Sequence, residues 1–233
     1  MAAPARDVRW GLGDALTATG AGFLASLIAV SVALGVSGED EIDDLSLWVL
    51  ALVQVPLWLG LAGVPWLVSR RKGAGSLRED FGFTMRAVDV PVGLLVGFAS
   101  QLVLTVLAPP FYRFFDVDDD RIGETAQELA DQAQDPFGVA VLFLVVVLGA
   151  AVFEELCYRG LWQRSIERRW GPAAGVVLSS LVFGAVHFQL YDFPLLVAFG
   201  LVLALLAQRS GRLGPAIWAH VAFNLTALVE LLG

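Results

Sequence analysis

Seven stretches of the chain are too apolar to lie in water and long enough to lie in lipid: residues 15–36, 47–68, 91–111, 137–158, 173–190, 194–208 and 216–232. About 20 apolar residues in a helix cross the hydrocarbon of a bilayer. Within it every backbone N–H and C=O must find a partner inside the protein, which restricts such runs to helices. The expectation is an all-α, polytopic transmembrane helix bundle of about seven spans, the sixth of them short at 15 residues. With 57% hydrophobic and 16% charged residues and a mean hydropathy of +0.72, the composition lies outside the range of water-soluble domains. We read residues 1–233 as a single integral membrane domain, with N-terminal spans and loops over 1–136 and core helices over 137–233. The first run leads directly into an acidic loop and a second span, and at about 22 residues it exceeds a signal-peptide core, so it reads as a retained helix.

Charge gives the orientation. The net charge is −8, but the charges alternate in sign from loop to loop. Loop 37–46 carries Glu39, Asp40, Glu41, Asp43 and Asp44 and no base, and segment 112–136 carries eight acids against Arg113 and Arg121. The N-terminus (Arg6, Arg9), loop 69–90, segment 159–172 and loop 209–212 together hold 13 of the 15 Lys and Arg residues. The positive-inside rule makes that basic face cytoplasmic, with the N-terminus inside and, for an odd span count, the C-terminus outside. Residues 120–135 read as a polar helix or solvated external segment. The excess of Arg over Lys, 14 to 1, points to a GC-rich bacterial genome and so to a bacterial plasma membrane. The lone cysteine, Cys157, excludes an internal disulfide framework and reads as an inert buried thiol.

Against this apolar background the ionisable residues stand out. Residues 154–159 read Glu-Glu-Leu-Cys-Tyr-Arg at the end of one run, and the two histidines, His187 and His220, each lie inside a later one. An ionisable group at membrane depth costs about 2.5–3.5 kcal/mol even on the lenient insertion scale, so these residues belong to a protein interior. Helix phase divides the cluster. Glu155 and Arg159, four apart with the acid first, face each other and neutralise both charges. Glu154 points about 100° away, and with no local partner it is the carboxylate free to act as a general base. Phe183 shares a face with His187, and His220 shares one with Asn224. A single His in an apolar helix is more often a hydrogen-bonded packing residue than a catalyst. A Glu, two His and an Asn on three helices form either a hydrolytic site or a metal site, because each buried polar group needs a partner and these are the ones available.

The order Glu-Glu-x-x-x-Arg, Phe-x-x-x-His, His-x-x-x-Asn on successive apolar segments resembles the CPBP family of intramembrane proteases, which includes CAAX prenyl endopeptidases and bacteriocin-processing or immunity proteins. The resemblance covers roughly residues 150–226, with Arg159-Gly160-Leu161-Trp162 and the approach Ser179–Gly184 to the first His, and no motif position departs from the pattern. It implies peptide hydrolysis within the membrane: Glu154 activates water with help from His187, His220 and Asn224 stabilise the oxyanion, and Glu155 and Arg159 are positioning residues; helix spacing adds Phe183, one turn before His187, as the ring that fixes the imidazole. The expected partners are membrane lipid and a membrane-associated, CAAX-like or otherwise lipidated peptide, not nucleic acid.

Two versions of the chemistry stay open. The favoured one needs no cofactor; in the other, Glu154, His187 and His220 are two-His, one-carboxylate zinc ligands with an open position for water. A proton-coupled transporter and a non-catalytic immunity protein are the alternative functions. Depth is the difficulty, because counting at 1.5 Å per residue places Glu154 about 6–9 Å from the basic end of its span and His187 about 21 Å from its own. Tilted helices, or a dipping amphipathic segment 162–170, are expected to bring them together around a cavity open to the cytoplasm.

Overall fold

The structure, a computed structural model, describes residues 8–115 and 123–233, apart from the side chain of Asp43. Arg6, Arg121, the acids at 116 and 118–120, and the start of the polar segment at 120–122 lie outside the described residues. The described residues form helices joined by turns, with no strand. Six helices are long and apolar enough to cross a membrane: α1 (Leu12–Ser37), α2 (Leu47–Lys72), α4 (Asp89–Phe114), α6 (Pro136–Trp170), α8 (Phe193–Ser210) and α9 (Gly214–Leu232). Among the described residues three shorter α-helices, α3 (Leu77–Phe81), α5 (Glu124–Asp131) and α7 (Pro172–Ala185), and a 3-10 turn at Ile42–Asp44 join them.

The expected span 173–190 is thus a shorter helix, α7, and only six of the seven expected spans have crossing length. Its end has a local cause. Beyond Ala185 the N–H groups of His187 and Phe188 turn back to the Gly184 and Ala185 carbonyls, and Phe188 takes φ 57°, a left-handed conformation a β-carbon disfavours. A phenylalanine held there is a form of strain concentrated at functional sites, and it leaves His187 just past the helix end.

Small residues set the helix approaches, as expected where lipid gives helices no hydrophobic reason to pack. Gly22 of α1 lies against Gly60 of α2, where a β-carbon on either would strike the other helix's backbone. On α4, Gly93 and Gly97 form a one-turn pair against α9, and a β-carbon at Gly97 would collide with the Ala219 carbonyl. Helix α6 widens to π geometry at Phe143–Gly149 and again at Glu155–Gln163, a distortion common at functional sites.

The end of the bundle that carries the basic loops is tied shut. Asp80, 4% exposed, accepts from Ser69 Oγ (2.6 Å), Trp10 Nε1 (3.2 Å) and the Ala74 N–H (2.9 Å). Arg212 makes a two-nitrogen clamp on the fully buried Asp89. The Leu213 and Gly214 N–H groups donate to the Gly82 and Thr84 carbonyls, and Arg164 Nη2 donates to the Gly211 carbonyl at 2.9 Å. At the opposite, acidic end, α5 is held by the Gly123 N–H on Asp192, and Tyr112 donates its hydroxyl proton to the Tyr191 carbonyl.

Candidate active site

The ionisable pairs follow from where α6 ends. The sequence places the basic end of that span near residue 158, but the helix runs on to Trp170, and Gly171 (φ 86°) turns it into Pro172 of α7. Measured from that hairpin, Glu154 is about 24 Å up one helix and His187 about 22 Å up the other. The two are therefore level along the hairpin, and neither a tilt nor a dip is needed to bring them together. The structure brings Glu154 Oε2 to 4.0 Å from His187 Nε2.

Helix α8 supports α6 by running beside it in the same direction. Arg159 Nη2 donates to the Gly200 carbonyl (3.3 Å), Gln163 Nε2 to the Ala204 carbonyl (3.0 Å), and Gln208 Nε2 to Glu167 Oε1 (3.1 Å). These contacts repeat every four residues on both helices at one constant offset, so one face of α6 is read out turn by turn by α8. Helix α9 runs the other way. Arg164 meets Gly211 just ahead of α9, and nine residues back along α6 and nine on from Gly211, Glu155 meets His220.

Glu155 and Arg159 pair as helix phase predicts, Nη1 to Oε1 at 2.9 Å, both side chains 0% exposed. Glu155 is more than a clamp for Arg159, however. The same Oε1 lies 3.1 Å from His220 Nδ1, so the carboxylate joins α6 to α9 and fixes the imidazole. Arg159 also lies over the Phe183 ring, 4.1 Å from its centroid, a cation–π contact of desolvated type. Phe183 in turn meets His187 and His220 edge-on at 4.8 and 5.8 Å between centroids. One buried ring thus touches the arginine and both imidazoles.

His187 Nδ1 lies 2.7 Å from the Phe183 carbonyl. A carbonyl only accepts, so Nδ1 carries the proton, and in the neutral ring the lone pair sits at Nε2, facing Glu154. Glu154 Oε2 is shielded from solvent and makes no hydrogen bond. Asn224 donates from Nδ2 to the Val146 carbonyl at 2.8 Å, inside the widened segment of α6. Its second N–H and its Oδ1 are not used by that bond.

Glu154, Phe183, His187, His220 and Asn224 line one cavity of about 510 Å³. Its lining runs from this floor to Ile42, Leu47 and Leu129, which are at the acidic end. The sequence predicted an opening at the basic end. Gln54 and Phe199 are among the lining residues that escaped the sequence reading. Gln54 is the one amide in the 47–68 run, a visible signal. Phe199, stacked on Phe223 at 3.7 Å and edge-on to His220 at 5.6 Å, carried no signal, being one apolar residue among many. No group of three or more His, Cys, Asp and Glu side chains able to hold a metal occurs among the described residues. His220 is turned towards Glu155, so the geometry does not gather Glu154, His187 and His220 as ligands.

A segment of 104 residues is 27% identical to the protein of Bacillus subtilis (strain 168) described as "Putative membrane peptidase YdiL", covering 45% of this chain and 41% of that protein. The chain thus matches less than half the length of that relative. No solved structure matches. Residues 136–226, the stretch that holds Glu154, His187, His220 and Asn224, match the family described as Type II CAAX prenyl endopeptidase Rce1-like.

Proposed function

We propose that the chain is an intramembrane endopeptidase that hydrolyses a peptide bond in a membrane-associated substrate without a metal. The observation that carries this reading is the pair Glu154 and His187, two acceptors 4.0 Å apart at the floor of a cavity they share with His220 and Asn224. A water molecule at ordinary hydrogen-bond length from both subtends about 90°, close to the angle between its own two protons. Such a water is oriented with its oxygen towards the cavity.

As that oxygen attacks the scissile carbonyl, Glu154 takes one proton and His187 holds the other. The carbonyl oxygen gains the negative charge, which His220 Nε2–H and the remaining Asn224 N–H stabilise; each such donor is worth about 2.7–4 kcal/mol to the transition state. Because the Nδ1 proton is engaged by Glu155, a donor at Nε2 requires the imidazolium, and the Glu155 carboxylate is what makes that charge tolerable. When the C–N bond breaks, Glu154 returns its proton to the leaving amine, giving a carboxylate product and a free amine.

The test is cleavage of a membrane-anchored or lipidated peptide by the purified chain. Glu154→Gln and His187→Ala are expected to lower the rate by about 10²–10⁴, the range for a lost acid–base group, with unchanged thermal unfolding. Undiminished cleavage by Glu154→Gln sinks the assignment. A chain that purifies with one zinc, loses activity to a chelator and regains it with metal sinks the metal-free chemistry.

A further inference from the structure

Resting on that hydrolytic reading, we infer that the site is served from the face opposite the basic loops, and that its substrate is a membrane-anchored peptide bearing basic residues on that face. The geometry has a closed end and an open one. Below the Glu154–His220 floor, Asp80, the Asp89–Arg212 clamp and the Arg164–Gly211 bond tie the basic loops to one another. Above it, the cavity walls are the acidic-end halves of α1, α2, α6 and α9, from Val30 to Leu50 to Leu231.

Helix α5 lies across this opening. Its Thr125, Ala126 and Leu129 line the cavity, while Glu124, Glu128 and Asp131 are exposed on its outer side. A second cavity of about 510 Å³ adjoins the first through Ala126, Leu196, Phe223 and Ala227, and extends between α4 and α9 past Gln101 and Thr105. Together the two outline a trough, apolar in its walls, along which the amides of Gln54, Gln101, Gln189 and Asn224 offer hydrogen-bond partners to the backbone of an extended chain.

The charge of the rim selects the occupant. Glu39, Asp40, Glu41, Asp44, Glu124, Glu128, Asp131 and Asp135 are exposed at this end. Asp192 and Arg113 lie in the trough itself. An excess of one sign around a low-dielectric cleft concentrates the opposite sign there, so a peptide with Lys or Arg beside its membrane segment is drawn in and an acidic one is repelled. The positive-inside rule puts this face outside the cytoplasm.

Cysteine accessibility tests the side without relying on turnover. Cys157 is fully buried and gives no background. In intact cells treated with a membrane-impermeant thiol reagent, Asp40→Cys at the acidic end and Ala150→Cys in the cavity wall are expected to react, and Arg78→Cys in the basic loop only after permeabilisation. Ala150→Cys reacting only alongside Arg78→Cys, or under neither condition, overturns the proposal, as does an Asp40→Cys that needs permeabilisation.

The substrate class is tested with the full chain in proteoliposomes and single-span peptides whose acidic-end flank is Lys-rich or Glu-rich. The Lys-rich peptide is expected to have a kcat/KM about tenfold higher at low salt, narrowing as salt screens the rim. Changing Glu124→Gln, Glu128→Gln and Asp131→Asn together is expected to remove most of that tenfold preference. Equal rates for the two peptides overturn the substrate class. If neither is cleaved while Ala150→Cys still reacts with Asp40→Cys, the hydrolytic reading fails and the direction of access stands.

Discussion

Glu155 is the residue whose replacement separates architecture from chemistry most cleanly. Its carboxylate accepts from Arg159 at 2.9 Å and from His220 at 3.1 Å, with the Glu155 and Arg159 side chains 0% exposed. Glu155→Gln removes the negative charge and leaves a buried guanidinium with the Gly200 carbonyl at 3.3 Å and the face of Phe183 at 4.1 Å. Breaking a buried pair in this way costs about 3–5 kcal/mol. At about 2–4 °C per kcal/mol for a chain of this size, the unfolding temperature in detergent should fall by roughly 6–20 °C. Glu154→Gln, one residue away, should leave it unchanged, because the buried Oε2 of that carboxylate makes no hydrogen bond in the fold. The double variant Glu155→Leu with Arg159→Met removes both charges. Glu155 Oε2 and Arg159 Nε already lack partners, so the native pair recovers little of its desolvation. The double variant should regain more than half of the lost stability, the remainder being the about 1–3 kcal/mol for an orphaned His220 Nδ1–H. It should not regain cleavage. An unchanged unfolding temperature for Glu155→Gln, or a double variant as unstable as the single, would refute the buried-pair reasoning.

Other substitutions report on the surrounding parts. Phe183→Ala removes the ring shared by Arg159, His187 and His220 and should cost about 3–5 kcal/mol, read by thermal unfolding. Gly97→Val drives a branched side chain into the Ala219 carbonyl and should lower the unfolding temperature, whereas Gly20→Val, which meets nothing within 4 Å, should not. The Asp192 carboxyl, in the loop before α8, is raised by burial, against the opposing effects of the Gly123 N–H bond and of His187. A folded pKa above the unfolded value means the native state binds the proton more tightly, so this group adds stability as pH falls through the folded pKa and loses it as pH rises. Unfolding temperatures measured from neutral to acidic pH should contain a component rising on acidification that Asp192→Asn lacks.

Much of the fold could be read from period and charge because a bilayer leaves few alternatives. Apolar runs had to be helices, and the Glu155–Arg159 pair followed from a spacing of four. The partner of His220 could not be found that way. Which carboxylate an imidazole on α9 meets depends on the rotation of α9 about its axis, and that is set by Gly93 and Gly97 letting α4 approach, a contact between residues more than 120 positions apart. Phe199 was unreadable for a similar reason: its part is to stack on Phe223 and bound the site, and nothing in its own neighbourhood distinguishes it from Leu203 or Ala204.

The depth of the site shows how a reasonable local inference fails and what corrects it. Arg159, Arg164, Arg168 and Arg169 resemble the edge of a membrane, and ending the span there strands His187 far above Glu154. The residues that keep the helix going are Arg159, Gln163 and Glu167, spaced by four, each meeting α8 at the level of Gly200, Ala204 and Gln208. Polar side chains satisfied by a neighbouring helix do not mark an interface; they mark a buried seam. Once the seam carries α6 to Trp170, the hairpin at Gly171 equalises the two arms, and the positive φ at Phe188 stops α7 within a turn of where the imidazole meets Glu154. If that stop sets the geometry, Phe188→Gly, which relaxes the left-handed residue while keeping the turn, should preserve cleavage. Phe188→Val, which cannot adopt φ 57° without strain, should lower kcat by displacing His187 while leaving the Glu155–Arg159 core, and so most of the unfolding temperature, in place. Equal rates for the two variants would mean that the His187 position is held by its bond to the Phe183 carbonyl alone.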